Sequence, residues 1–436
     1  MHNLLKFILK ILAKRVITRY QPTVIGITGS VGKTMAKDAV FTVLSRKFLV
    51  RKTEKNYNNE FGVPLTVLGI DPFLSTANIR PSNWGRLLRF WPKLAGGFWL
   101  AFLPFRMRYP KFLILELASA KPGDIDYLVD MVRPRIGVVT AIGEVPVHVE
   151  FYVSPQEVAE EKAKLIAQLP PDGLAILNYD DQTVLNMKER SRAKVVTFGF
   201  SNLADIWASD TSYFISDDNI NIGGLSFKIN SGGTFVPARI NNLVGLHQLY
   251  GVLAAVAVGL HFGINLVDIS GALENIELPT GRMNLLSGIK NSVIIDDTYN
   301  ASPLSTHAAL DALRDFAKAR EKLGHKGRRI AVLGDMRELG KYEIEAHRAI
   351  GNLAAERCDM LITVGTAGKL IADSAANSAF AKASADKQMP DNIISFNTSE
   401  EAKIKVQEII KEGDVVLVKG SHAMKMELIV EEIKAR

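Results

Sequence analysis

Cysteine is nearly missing from this chain, with one residue, Cys358, among 436. That excludes an internal disulfide and a cysteine-built zinc site, and it fits the reducing cytoplasm. A long apolar run is missing as well. The apolar N-terminus is interrupted by a basic residue about every turn, so it reads neither as a secretory signal peptide nor as a membrane span. With 47% hydrophobic and 23% charged residues, the chain is not disordered or fibrous, and its length allows two or three domains with their own cores.

Acid is scarce only locally. Residues 1–20 hold Lys6, Lys10, Lys14, Arg15 and Arg19 and no acid; residues 80–111 hold Arg80, Arg86, Arg89, Lys93, Arg106, Arg108 and Lys111 and no acid. These twelve cations exceed the net charge of +7, so the remainder of the chain is slightly acidic, at −5. Both stretches are also apolar. In the first, Leu4, Leu5, Ile8, Leu9, Ile11, Leu12 and Ile17 interleave with lysines four apart, the pattern of a helix with one apolar and one cationic face. Such a helix can lie on an anionic membrane surface. The second contains Trp84, Trp91 and Trp99, and its apolar run 94–105, broken by Gly96, Gly97 and Pro104, is too short to span a bilayer. Contact with the inner membrane face, and packing of the two segments on each other or on the body, are the two readings. Nucleic acid is not an expected partner, since no recognition motif accompanies the charge.

From residue 23 onward short β-branched runs alternate with helical patterns, which predicts a parallel α/β architecture. Strands are expected at 23–28, 111–117, 136–142, 174–178 and 194–198, with helices near 122–132, 154–169 and 180–191. Residues 203–240 alternate, carry Gly223, Gly224, Gly232 and Gly233, and lack a helical period, so a small antiparallel sheet is expected there. A long apolar helix at about 245–262 follows. A second α/β unit begins near 285, with strands at 292–296, 329–333, 360–364, 393–396 and 415–418, the pattern of a doubly wound domain. The Ala/Ser/Lys-rich stretch 374–388 reads as surface helix and loop.

The strongest local signal is Gly26-Ile-Thr28-Gly29-Ser30-Val-Gly32-Lys33-Thr34, between a strand and a helix. Glycines let backbone amides point at phosphates, a lysine reaches the β- and γ-phosphates, and a hydroxyl suits magnesium. Ile27 stands where the strict motif has glycine, so this is a variant loop. ATP and Mg2+ are the expected ligands, held by Gly29, Ser30, Gly32, Lys33 and Thr34.

Further segments name a family. They are Asn56-Tyr-Asn58-Asn59-Glu60-Phe-Gly62-Val-Pro64, Leu115-Glu116 through Pro122-Gly123, Glu161-Lys162-Ala-Lys164-Leu165, and Leu177-Asn178-Tyr-Asp180-Asp181. In order behind them come Gly245-Leu-His247-Gln248, Gly281-Arg282, Asp296-Asp297-Thr-Tyr299-Asn300-Ala301-Ser-Pro303, Gly334-Asp335-Met336, Glu345 with His347, and Lys419-Gly420-Ser421. With these, residues 23–436 resemble the Mur ligase family, most of all its D-alanyl-D-alanine-adding branch. The resemblance implies an ADP-forming amide ligase: ATP phosphorylates an acceptor carboxylate, an amine attacks the acyl phosphate, and ADP and phosphate leave. The implied partners are a cell-wall peptide precursor and an amino acid or dipeptide donor, with the protein working as a monomer.

The resemblance also implies roles. Lys33, Glu116, His148 and Lys162 are the catalytic candidates, with Thr34, Glu116, His148 and a carbamylated Lys162 as metal ligands. His247, Gln248, Arg282, Asp296 and Asp297 join the phosphate loop as nucleotide residues. Asn58, Asn59, Tyr299, Asn300, Lys419 and Ser421 face the substrates, while Asp335 and His347 position a loop. The bottom-up chemistry agrees, since activating a carboxylate requires charge neutralisation around a γ-phosphate. The expected domains are a basic amphipathic N-terminal helix at 1–22, a central ATP-binding domain at 23–283 with the basic aromatic insertion 80–111, and a C-terminal Rossmann-like ligase domain at 284–436. Lys33 and Lys419 fall in different domains, so closure is expected to assemble the site.

Several departures bear on the acceptor. The phosphate loop begins at residue 26, where related ligases first place a domain for the UDP-sugar; a basic helix is expected in its stead. The stretch 80–111 is long, the spacing before His148 has two extra residues, and Gly251 stands where an adenine-contacting asparagine is usual. A lipid-linked acceptor at the membrane surface is therefore an expectation beside a UDP-linked one. The alternatives are a poly-amino-acid or folylpolyglutamate-type ligase, and a nucleotide-regulated membrane-associated binding protein.

Overall fold

The computed structural model describes residues 2–54, 57–70, 96–97, 100–102, 108–146, 148–216, 222–382 and 392–435. Most of the basic aromatic stretch, its three tryptophans included, lies outside the described residues. The chain divides into two compact units, Met1–Ile142 with Gln156–Ile206 and Gly251–Asn265, and Gly143–Pro155 with Trp207–Tyr250 and Leu266–Arg436.

The first unit opens with helix α1 (His2–Tyr20), followed by β1 (Thr23–Thr28), α2 (Lys33–Ser45), β2 (Val50–Lys52), α3 (Gly62–Leu68), β3 (Phe112–Glu116), α4 (Asp124–Val132), β4 (Ile136–Val139), α5 (Pro155–Ala167), β5 (Leu174–Asn178) and β6 (Lys194–Gly199). The strands run in the order β2-β3-β1-β4-β5-β6 and pair parallel throughout. Strands β3, β4 and β5 are buried along their whole length, which is why they read as continuous β-branched and leucine runs rather than alternating ones. The apolar helix α6 (Leu249–His261) is packed on nearly every side. Gly251 has a local reason: a Cβ there would stand 2.7 Å from the backbone nitrogen of Ala36 in α2.

Helix α1 departs from the single apolar face expected of it. Leu9, Leu12, Ala13 and Val16 are buried in the core beside α3 and α4. The lysine row turns to the protein: Lys6 reaches Glu60 at 3.4 Å, and Lys10 and Lys14 reach Asp130 at 2.9 and 2.8 Å. A second apolar row, Leu4, Phe7, Ile8 and Ile11, stays exposed. Among the described residues, no helix is long and apolar enough to cross a membrane.

The second unit contains strands β7 (Ile206–Ile215), β8 (Gly223–Ser231) and β9 (Thr234–Asn241), neighbours in that order, with β8 and β9 antiparallel as expected. The β8–β9 hairpin pairs Ser231 with Thr234 across Gly232 and Gly233, whose φ of +56° and +79° suit a two-residue turn that only glycine takes without strain. The remainder is a six-stranded sheet in the order β10-β11-β15-β12-β13-β14. Its members are β10 (Asn284–Ser287), β11 (Val293–Asp297), β12 (Arg329–Gly334), β13 (Met360–Val364), β14 (Ile393–Phe396) and β15 (Val415–Lys419). Only the edge strand β10 pairs antiparallel. Helix α7 (Pro303–Lys322) begins with a Ser302/Ser305 capping box and Pro303 in its first turn, a strong local start signal. The carboxyl ends of β11, β12 and β15, where doubly wound sheets place their ligand crevices, carry Asp296 and Asp297, Gly334 and Asp335, and Lys419 to Ser421.

Candidate active site

In the first unit the phosphate loop joins β1 to α2. Gly29 takes φ +143° and Gly32 φ +85°, and a Cβ on Gly29 would stand 2.1 Å from Thr140 Oγ1, so these turns exclude other residues. The loop is held by the exit of β4: the Ser30 amide donates to the Ala141 carbonyl at 2.6 Å, and Thr140 Oγ1 donates to the Val31 carbonyl at 2.6 Å. Lys33 Nζ donates to the Gly29 and Ser30 carbonyls at 2.8 and 3.3 Å, which holds its charge over the loop.

The β1–β3 register pairs Ile27 with Glu116, so Glu116 ends its strand beside the loop. Its side chain is 3% exposed; Oε2 accepts from Thr34 Oγ1 at 3.2 Å and Oε1 from Asn58 Nδ2 at 3.0 Å. The Glu116 amide in turn donates to Thr53 Oγ1 at 2.9 Å. A carboxylate and a hydroxyl oxygen brought together over a phosphate loop are hard donors that fit magnesium. Asn59 does something else: its Oδ1 accepts from the amides of Phe61 and Gly62 at 3.1 and 3.0 Å, so it caps the start of α3.

Lys162, on α5, is 2% exposed. Its Nζ donates to Ser119 Oγ at 2.7 Å, and the neighbouring Glu161 is turned away, accepting from the Ile125 amide at 2.8 Å and from Lys164 at 2.6 Å. Burial first, and Lys33 second, push the Lys162 ammonium down to about 7, so a large share is free amine at neutral pH. A free amine is the form that takes up CO2 as a carbamate, turning a cation into a carboxylate-like ligand.

The other predicted residues lie in the second unit, and the β11–β15 register assembles them by pairing Asp297 with Lys419. Lys419, 2% exposed, donates to Asp297 Oδ2 at 2.5 Å and to the Asn300 carbonyl at 2.9 Å. Burial lowers its pKa, and the Asp297 charge opposes that shift. Asp296 is raised by burial while accepting from Thr298 Oγ1 at 2.7 Å. Arg282 stacks over the Tyr299 ring at 3.8 Å, behind Gly281, whose carbonyl accepts from the Tyr299 amide at 3.1 Å. His247, next to Gln248 at 3.0 Å, is driven down to about 4 by burial, with Lys419 and Arg282 adding to the effect and Asp297 opposing it.

Ser421 Oγ accepts from the Arg337 amide at 2.8 Å, and its own amide donates to the Asp335 carbonyl at 3.0 Å. Asp335 Oδ1 accepts from the Gly368 amide at 2.8 Å, and buried His347 accepts from the Met336 amide at 2.9 Å, so both hold the loop after β12 on which Ser421 rests. His148 takes φ +70° and its Nδ1 lies 2.5 Å from Glu338 Oε2, a contact within the second unit. Sequence reasoning singled out neither Thr53 nor Ser119, whose only signal is a hydroxyl near a strand end.

Residues 99–259 match the Mur ligase middle domain and residues 281–422 the Mur ligase, glutamate ligase domain. The UDP-N-acetylmuramoyl-tripeptide–D-alanyl-D-alanine ligase of Bacillus subtilis is 29% identical over 97% of this chain and 78% of its own length. That of Mycobacterium bovis is 30% identical over 95% of this chain and 73% of its own. The crystal structure of MurF ligase from Thermotoga maritima in complex with ADP shares the fold, with a TM-score of 0.75 at 23% identity over 97% of this chain and 82% of that one. With a relative 30% identical across nearly three quarters of its length, and both domains matched in order behind a phosphate loop, this chain belongs to the Mur ligase family.

Proposed function

We propose that the chain is an ATP- and magnesium-dependent ligase that joins D-alanyl-D-alanine to the peptide of a cell-wall precursor through an acyl phosphate. The observation that carries this reading is the group Thr34, Glu116, Asn58, Lys162 and Ser119 at the phosphate loop of one unit. The names of the Bacillus and Mycobacterium relatives supply the donor and the acceptor class. In this reading Thr34 and Glu116 hold magnesium, which supplies charge neutralisation at the phosphates. Lys33 adds a fixed positive charge over the loop, and Asn58 orients the Glu116 carboxylate. Lys162, carbamylated from its free-amine form, is a second anionic ligand with Ser119 as its hydrogen-bond partner.

In the second unit Asp297 and Lys419 hold each other as a charge pair near Asn300, and Ser421 presents its hydroxyl beside Arg337. His247, Gln248, Arg282, Asp296 and Asp297 are taken as nucleotide residues, and Tyr299, Asn300, Lys419 and Ser421 as substrate residues. The enzyme is proposed to act as a monomer in the cytoplasm, peripheral to the inner face of the membrane.

The test is phosphate release from Mg2+-ATP, with amino donors crossed against UDP-linked and lipid-linked muropeptide acceptors. Release that requires D-alanyl-D-alanine together with a muropeptide is the expected result. Release with another donor alone, or none with any pair despite ATP binding, would overturn it.

A further inference from the structure

We infer that the exposed apolar row of α1 is a docking surface for an anionic lipid bilayer. Leu4, Phe7, Ile8 and Ile11 are 62%, 60%, 37% and 45% exposed, although the opposite side of the same helix is buried in the core. At helical spacing these four and the exposed Arg15 fall within an arc of about 100°, the width of an amphipathic stripe. The stripe continues onto Phe102, 46% exposed, with the Arg15 guanidinium 5.7 Å from its ring. Arg19, on the flank of the stripe, donates to the Ala101 carbonyl at 3.4 Å, which ties the described end of the basic aromatic stretch to the helix. A large apolar patch beside a cationic rim marks a contact site rather than ordinary surface.

Charge selects the partner. Neither α1 nor residues 80–111 contain an acid, while the rest of the chain is slightly acidic. On the other flank the acids that meet α1 are already taken, Glu60 by Lys6 and Asp130 by Lys10 and Lys14, and the two lysines hold the Asp130 carboxyl down at about 2. What faces outward on α1 is therefore the apolar row, with the exposed Arg15 at its end and Arg19 on its flank. A second copy of the chain would set like charges against each other around a self-complementary patch. An anionic bilayer accepts the apolar row at the headgroup boundary and pairs with the cations. This deepens the location proposed above and is independent of donor and acceptor: a chain that ligates but does not bind vesicles overturns the surface alone.

The test is sedimentation of the full chain with vesicles of phosphatidylglycerol and phosphatidylcholine, against vesicles of phosphatidylcholine only. Binding to the anionic vesicles that weakens with added salt is expected. Phe7→Asp with Ile11→Asp should cut the partition coefficient at least tenfold with thermal stability unchanged, because both positions are exposed. Phe7→Trp with Ile11→Trp should keep or strengthen it. No sedimentation of the unaltered chain, equal binding by the aspartate variant, or a dimer in sedimentation velocity that the aspartate variant abolishes without vesicle binding would overturn the proposal.

Discussion

Lys162 and Lys419 are both 2% exposed, each in a different unit, yet they meet different partners. Lys162 meets the Ser119 hydroxyl, its neighbour Glu161 is engaged elsewhere, and burial carries it to about 7. Lys419 meets the Asp297 carboxylate at 2.5 Å across two adjacent strands, and that charge opposes the effect of burial. The difference teaches that burial lowers both ammonium groups and that the partner decides what offsets it, a hydroxyl at Lys162 and a carboxylate at Lys419. In the first unit the price is an unfavourable ammonium; in the second it is a pair that fails if either member is removed.

The same substitution in both places breaks the comparison most sharply. Lys162→Met should lower turnover by about a hundred- to a thousandfold, read by phosphate release, while leaving stability at pH 7 equal or higher. Lys419→Met should leave Asp297 buried without a counter-charge and cost about 3 to 5 kcal/mol, read by denaturant unfolding. If Lys162→Met destabilises the chain as much as Lys419→Met, the contrast is wrong.

The titration of Lys162 sharpens it further. A folded-state value near 7 against the ordinary 10.5 means that the unfolded chain binds more protons between these values. Stability should therefore rise with pH from about 7 to 10 in CO2-free buffer, by a few kcal/mol in all, and Lys162→Met should remove that rise. Thermal unfolding at pH 7, 8 and 9 reads it. His247, held at about 4 rather than 6.5, has the same sign in a lower window: stability should rise from pH 4 to 6.5 by about 3 kcal/mol and level off above. A His247→Gln variant with an unchanged acid limb would refute that assignment. The smallest effect belongs to the surface: Lys14→Ala removes a contact to a half-exposed Asp130 and should change stability by less than about 1 kcal/mol.

What could be read without coordinates was whatever lies close along the chain. The phosphate loop, the Gly232-Gly233 hairpin, the buried parallel strands and the cap of α7 each rest on residues a few positions apart, whose backbone demands and periodicity are local. The order of the family motifs carried the rest of the site list. Tertiary structure decided how those residues are used. Asn59 stands next to Asn58, but one caps a helix and the other holds Glu116. Thr53 and Ser119 became site residues only when strand ends brought them to Glu116 and Lys162. The lysines of α1 looked outward in the sequence pattern, yet Glu60 and Asp130 draw them to the body and leave an apolar row outside. The sequence by itself determined the elements and the nucleotide loop, because propensity and spacing act within a turn or a strand. Which partner each buried or basic side chain meets depends on strand register and helix packing between residues as much as 122 positions apart, as for Asp297 and Lys419, and only the assembled fold sets that.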